Sequence, residues 1–292
     1  MKNKALVAVL AAGTFWGTMG FFARSLYAAG FGPLEVAQTR ITIGLILVGL
    51  YILLFNRSQF RIKLKDIWCF LGTGIVSLLL FSTCYFSALN YTSLAVAAIL
   101  LYTAPFFVML MSLVLFKEKM NGKKIFALLL AFTGCVLVSG VGGDTLFSWK
   151  GILLGLGSGF FYALYSIFGR YAINRGYGAW PMTFYTFLFC SIGCAFLSDW
   201  QVIGTVMAAS SANILWVLGL GFVTAFLPYV LYSTGLEHME SSKASILASV
   251  EPVVSALFGV FVFHESLSVW GILGIVLVLG AIIVLNTKGK KS

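Results

Sequence analysis

Ten stretches of nearly unbroken apolar sequence, joined by short polar links, occupy almost the whole chain: about 5–27, 34–55, 67–89, 93–116, 124–142, 151–173, 179–198, 213–236, 244–263 and 268–286. A helix rising about 1.5 Å per residue needs about 20 apolar residues to cross a hydrocarbon core roughly 30 Å thick. Inside that core no water can satisfy backbone N–H and C=O groups, and a helix satisfies them within the segment. The spacing therefore predicts ten membrane-spanning helices, an all-α integral membrane protein. Composition agrees, because a chain of 292 residues that is 60% hydrophobic and 10% charged carries more apolar surface than a soluble domain can bury. The first stretch, following Lys2 and Lys4, begins like a secretion signal. Its apolar run continues to about Leu26, too long for a signal core, so it is read as a retained span.

The net charge of +10 does not point to nucleic acid, because the basic residues are placed by topology. Lys2 and Lys4, then Arg57, Arg61, Lys63 and Lys65, then Lys117, Lys119, Lys123 and Lys124, occupy alternate links; so do Arg170 and Arg175, Lys243, and the tail Lys288, Lys290 and Lys291. Ten spans put all of these on one side, leaving only Arg24, Arg40 and Lys150 elsewhere. Positive charge is retained on the cytoplasmic side, so both termini are expected there, in a plasma or inner membrane. The five cysteines (Cys69, Cys84, Cys135, Cys190, Cys194) all lie in apolar runs without CxxC spacing, and read as small packing residues.

The two halves echo each other. Pro105 through Phe116-Lys117-Glu118 matches Pro252 through Phe263-His264-Glu265, and Tyr85 and Leu89 keep the same offset to Tyr232 and Leu236. At nearly that offset, Gly13, Phe15-Trp16, Phe22 and Arg24 match Gly159, Phe161-Tyr162, Phe168 and Arg170. Residues 1–144 form one repeat and 145–287 the other, with 288–292 a basic cytoplasmic tail. With five helices each, the second repeat enters from the opposite face, so the two are inverted. Secondary transporters share this plan, with a binding site near the midplane between repeats.

Ser249-Val250-Glu251-Pro252 followed by Phe263-His264-Glu265, the glycines Gly271, Gly274 and Gly280, the first-half version Tyr102-Thr103-Ala104-Pro105 through Lys117-Glu118, and Phe15-Trp16-Gly17 together resemble the EamA family of the drug/metabolite transporter superfamily. The likeness runs over nearly the whole chain. It implies a carrier of small metabolites, often an exporter of amino acids or related compounds, with a central cavity between repeats.

Glu251 stands directly before Pro252 inside a span. A carboxylate there costs roughly 2.5–3.5 kcal/mol and is usually turned to a cavity or a partner. The proline leaves the carbonyl of Ala248 without its helical donor and bends the helix. Two readings stand for the carboxylate: binding protons or substrate, or hydrogen-bonding backbone groups freed by the bend or the hydroxyls of Ser249 or Ser255. Arg40, with Gln38 and Thr39 beside it, is the basic residue set well inside a span; its fork suits a carboxylate or phosphate, and the alternative is snorkelling outward or pairing with Glu35. Trp16, Tyr85, Tyr102, Tyr162, Tyr165, Tyr229 and Tyr232 are the candidate aromatic lining, suited to cationic or zwitterionic cargo. The alternative for such rings is a lipid-facing or interfacial place, which Trp68, Trp149, Trp200 and Trp270 take at span ends. Glycines four apart, Gly13/Gly17 and Gly151/Gly155/Gly159, mark close helix packing.

The sequence therefore reads as a secondary transporter working by alternating access on an amino acid or similar zwitterion or cation, in the export direction. No nucleotide-binding loop of Walker type is present and no cofactor is expected. Protons, through Glu251, are the coupling ion considered, with uncoupled diffusion equally open; the partners are the small-molecule substrate and the bilayer, with a homodimer left open. The rival readings are a channel or a structural subunit of a membrane complex. An intramembrane enzyme finds no clustered catalytic groups within the spans.

Overall fold

A computed structural model describes residues 2–140 and 148–287. The expected repeat boundary at 144/145 and the basic tail 288–292 lie outside the described residues. Each apolar stretch becomes a helix: α1 Asn3–Ala28, α2 Pro33–Phe55, α3 Leu64–Ala88, α4 Leu94–Phe116, α5 Gly122–Ser139, α6 Trp149–Asn174, α7 Ala179–Ala195, α8 Ser211–His238, α9 Ser241–Phe263 and α10 Val269–Asn286. Among the described residues there is no strand. A further helix, Trp200–Ala209, turns away from α7 by 103°. It is started by Asp199, whose side chain accepts from the Gln201 and Val202 N–H groups, and it buries Ile203 and Val206 in one cluster with Leu26, Phe31, Val36, Val217 and Leu220.

Interhelical links sort the loops into two faces. On one, Arg175 pairs with Asp66 at 3.0 Å, Lys123 donates to the Thr287 carbonyl at 3.0 Å, and Lys124 meets Glu240 at 2.5 Å. This face gathers the α2–α3, α4–α5, α6–α7 and α8–α9 links, and is called the basic face below. On the other, Arg24 pairs with Glu265 at 2.7 Å, Lys150 donates to Tyr91 at 2.7 Å, and the Asp199 N–H donates to Glu35 at 3.0 Å.

The repeat extends to the irregularities. α4 breaks at Tyr102–Thr103 and α9 at Ser249–Val250, at matching positions, each just before a segment with proline in its first turn. α3 and α8 carry matching π-helical segments, Gly72–Leu79 and Phe222–Phe226. Lys117 and His264, also equivalent, both end their helices in the left-handed conformation, with φ 54° and 55°. Small residues bring the crossing helices together. A Cβ on Gly17 of α1 would lie 2.6 Å from the Glu251 carbonyl oxygen, so α1 crosses α9 at its break; at Gly159 of α6, a Cβ would lie 2.6 Å from the Thr103 hydroxyl at the break of α4. α5 and α10 meet through Gly134 and Gly274, where a Cβ on either would come within 2.7 Å of the other's carbonyl oxygen. Small-residue packing of this kind replaces the hydrophobic drive that lipid removes.

Candidate functional site

The two helix breaks face each other across the middle of the molecule and border a narrow cavity. Trp16, Arg40, Tyr102, Tyr162, Tyr229, Tyr232 and Glu251 all line it, so seven of the nine residues singled out from sequence converge on one space.

Glu251 begins the second half of α9, with Pro252 next in the same first turn. A carboxylate there sits at the positive end of a helix dipole. The break spans Ser249 and Val250, as the proline demands, yet neither Ser249, Ser255 nor the freed backbone bonds the carboxylate. Among the described residues its side chain has no hydrogen-bond or ion-pair partner, and it is turned to the cavity. Arg40 is 6% exposed. Its Nη1 lies 3.0 Å from the Met19 sulfur, and its Nε is buried without a partner. Glu35 is engaged with the Asp199 N–H instead, so neither the snorkelling nor the Glu35 alternative describes Arg40. One cation and one carboxylate, within electrostatic reach of each other but not in a direct ion pair, thus face one cavity. Charge without direct hydrogen-bonded partners is costly away from water, and it favours a ligand that supplies them.

The aromatic wall centres on Trp16, whose ring lies 5.2 Å from Tyr229, 5.3 Å from Tyr232 and 6.5 Å from Tyr162. These tilted and edge-on arrangements are the favourable ones for aromatic pairs. Tyr232 is oriented by Ser166, hydroxyl to hydroxyl at 2.9 Å. The hydroxyls of Tyr102 and Tyr162 have no partner among the described residues. Tyr165 stands one layer deeper, toward the basic face, 4% exposed and held by Ser233 at 2.9 Å. Tyr85 does not line the cavity; its ring packs on Phe81 and Phe86, at 6.1 and 5.7 Å. Phe81 does line it, as do Met19, Ser245 and Ser249. The two serines, four apart and on one helix face leading to Glu251, were legible as a polar stripe. Met19 and Phe81 carry no sequence signal, since an apolar side chain in an apolar span is the rule.

Below the cavity, toward the basic face, Ala12, Met182, Leu236, Ala244 and Leu247 form part of the largest buried cluster. Above it, a second, roomier cavity, which shares Tyr102 as a wall, is lined by Gly17, Arg24, Leu94, Ser255 and Glu265.

Among the described residues, nine helices are long and apolar enough to span a membrane, and the bent pair of α7 with Trp200–Ala209 makes a tenth; arranged as two repeats about a charged, aromatic central cavity, they define a multi-pass membrane protein of the transporter class. The chain matches the EamA-like transporter family over residues 3–140 and 149–287, one match per repeat, and it belongs to that family. It is 29% identical over 281 residues to an uncharacterized transporter of Archaeoglobus fulgidus, covering 95% of this chain and 94% of that one. To the uncharacterized transporter YvbV of Bacillus subtilis it is 26% identical over 266 residues, covering 88% and 84%. A solved crystal structure shares the fold with a TM-score of 0.81 at 19% identity, covering 98% of this chain and 97% of that one.

Proposed function

We propose that this membrane transporter is a secondary carrier of a small zwitterionic or cationic metabolite, an amino acid or close relative, which it exports across the plasma or inner membrane by alternating access. The concentration of lysine and arginine on one face supports a cytoplasmic side for both termini. The observation that carries this reading is the pairing of Arg40 with Glu251 across one aromatic cavity at the junction of the repeats. The Arg40 fork takes the substrate carboxylate in bidentate fashion. Glu251 takes the ammonium group, and Trp16 with its tyrosines holds the remainder by ring contact and cation–π attraction.

Glu251 also provides the coupling. Protonated, it loses its attraction for an ammonium group; ionised, it regains it. Substrate loaded from the cytoplasm is displaced by a proton from outside, and the proton leaves when the site next faces inward. Export is thereby driven by the proton gradient.

The test is thermal melting of the purified protein against amino acids, quaternary amines, nucleosides and organic anions. A ligand that binds only the folded state stabilises it by about 2.7 kcal/mol at 100 times its dissociation constant. Stabilisation by zwitterions or cations that is lost in Arg40→Ala and in Glu251→Gln supports the reading. Stabilisation by anions alone, untouched by Glu251→Gln, overturns the substrate class.

A further inference from the structure

The equivalent ends of the two repeats are in opposite states. On the basic face the α4 terminal turn delivers Glu118 onto the first turn of α9: its oxygens accept from the Ser241 N–H at 2.8 Å, the Ser242 N–H at 3.2 Å and the Ser242 hydroxyl at 2.5 Å. Arg170 of α6 closes the same junction, donating to the Ser241 hydroxyl at 3.0 Å and to the Met239 carbonyl. Ser241 and Ser242 are 0% and 2% exposed. On the opposite face the matching parts are Glu265 at the end of α9, Arg24 of α1 and the first turn of α4. Here Glu265 does not reach α4. It pairs with Arg24 at 2.7 Å, both side chains about half exposed (50% and 55%), while Arg24 stacks on the Phe263 ring at 4.2 Å. Leu94, the counterpart of Ser241, is 65% exposed. The Leu94 and Ala95 N–H groups have no partner among the described residues, and the second cavity separates Leu94 from Glu265.

From this asymmetry we infer that Glu118 and Glu265 are the two gate carboxylates of the transport cycle, each alternating between a cap on the facing helix when its face is closed and an ion pair with Arg170 or Arg24 when its face is open. A surface hollow lined by Lys117, Glu118, Arg170, His238 and Glu240 lies on the basic face, but the bonds of Glu118 and Arg170 to α9 and the buried cluster behind them shut it from the central cavity, so the structure is the state closed on the basic face. In the reverse state Glu265 leaves Arg24 and takes the Leu94 and Ala95 N–H groups, while Glu118 releases α9 and pairs with Arg170. Each carboxylate is satisfied in both states, so the exchange needs no charge left bare, and the gates oppose each other because helices α4 and α9 each carry one gate residue and one target. Helix N-termini accept carboxylates through the same unpaired N–H groups that Glu118 already uses. This inference rests on the alternating-access reading, and its test separates the two.

Two equivalent positions report the pathways: Ser255, exposed in the second cavity, and Val108, 1% exposed on the closed side. Single cysteines placed there, Ser255→Cys and Val108→Cys, are labelled with a membrane-impermeant maleimide from the opposite face and from the basic face respectively, against the background of the parent's own cysteines. Glu265→Gln removes a buried cap from the outward-closed state and only a half-exposed ion pair, worth little, from the present one, so it should raise labelling at 255 and lower it at 108. Glu118→Gln should do the reverse, each by about tenfold, the scale of losing one charge-assisted hydrogen bond. Ser242→Ala, which removes only one partner of Glu118, should follow Glu118→Gln more weakly and guards against misfolding of the charge variants. Labelling at both positions in the parent, unmoved or moved in the same direction by the two glutamine variants, overturns the gate while leaving alternation intact. Failure of position 108 to label in the parent and in every variant overturns alternation and the gate with it.

Discussion

Glu251 bears the cost of a carboxylate in a hydrocarbon-embedded helix, roughly 2.5–3.5 kcal/mol, with no hydrogen bond and only the charge of Arg40 across the cavity to offset it. Such a group is retained for what it binds. Glu251→Gln keeps the shape and the helix dipole contact while removing the titration. It is expected to abolish substrate uptake driven by a pH gradient in inside-out vesicles while leaving the melting temperature nearly unchanged; an unaltered pH dependence would remove the coupling role. Arg40→Lys keeps the charge and loses the fork. A bond to a charged group contributes about 1.5–3 kcal/mol, so apparent affinity for a carboxylate-bearing substrate should fall about 10- to 100-fold, as read by concentration-dependent thermal shifts. Both residues were visible in sequence as charges inside spans. That they face the same space was not, because Arg40 lies on α2 and Glu251 on α9, and no spacing rule relates residues so far apart along the chain.

At the scale of a helix, the break in α9 followed from Pro252, and its echo in α4 from Pro105. Neither π-helical segment did: α8 has Pro228 just beyond its segment, but the matching part of α3 has Phe81, so no common residue announces both. The helix Trp200–Ala209 was also missed, since ten residues are too short for a spanning signal and its burial is supplied by residues of α1, α2 and α8 that are distant in the chain or belong to another span. Gly13 and Gly17 were read as packing residues, and the structure adds where they pack. With a Cβ on Gly17 falling 2.6 Å from both the Glu251 carbonyl oxygen and the Val254 Cβ, Gly17→Val must push α1 off the break. Overpacking of this sort costs about 1–3 kcal/mol; a lowered melting temperature together with weakened ligand stabilisation is expected. Full retention of both would mean that the α1–α9 crossing does not position Glu251.

For the molecule as a whole, alternation between two states predicts counterflow: vesicles preloaded with unlabelled substrate should accumulate labelled substrate transiently above equilibrium. A channel with the same ligand profile gives simple equilibration, and that outcome would reverse the carrier reading. What residue order alone established is the part governed by the bilayer and by local chemistry. Run length set the number of spans, lysine and arginine placement set the orientation expected of them, and the internal echo set the two repeats. Tertiary contacts decided the rest: the convergence of Arg40, Glu251 and the Trp16 cluster on one cavity, the exclusion of Tyr85 from its lining, and the face on which the protein is closed. The last of these is the least legible of all. Each repeat carries nearly the same gate parts, so the pattern of residues is compatible with closure on either side. The choice lies in small differences of packing and hydrogen bonding summed across the interface, such as the Ser242 hydroxyl that Glu118 gains and that Ala95 cannot offer Glu265.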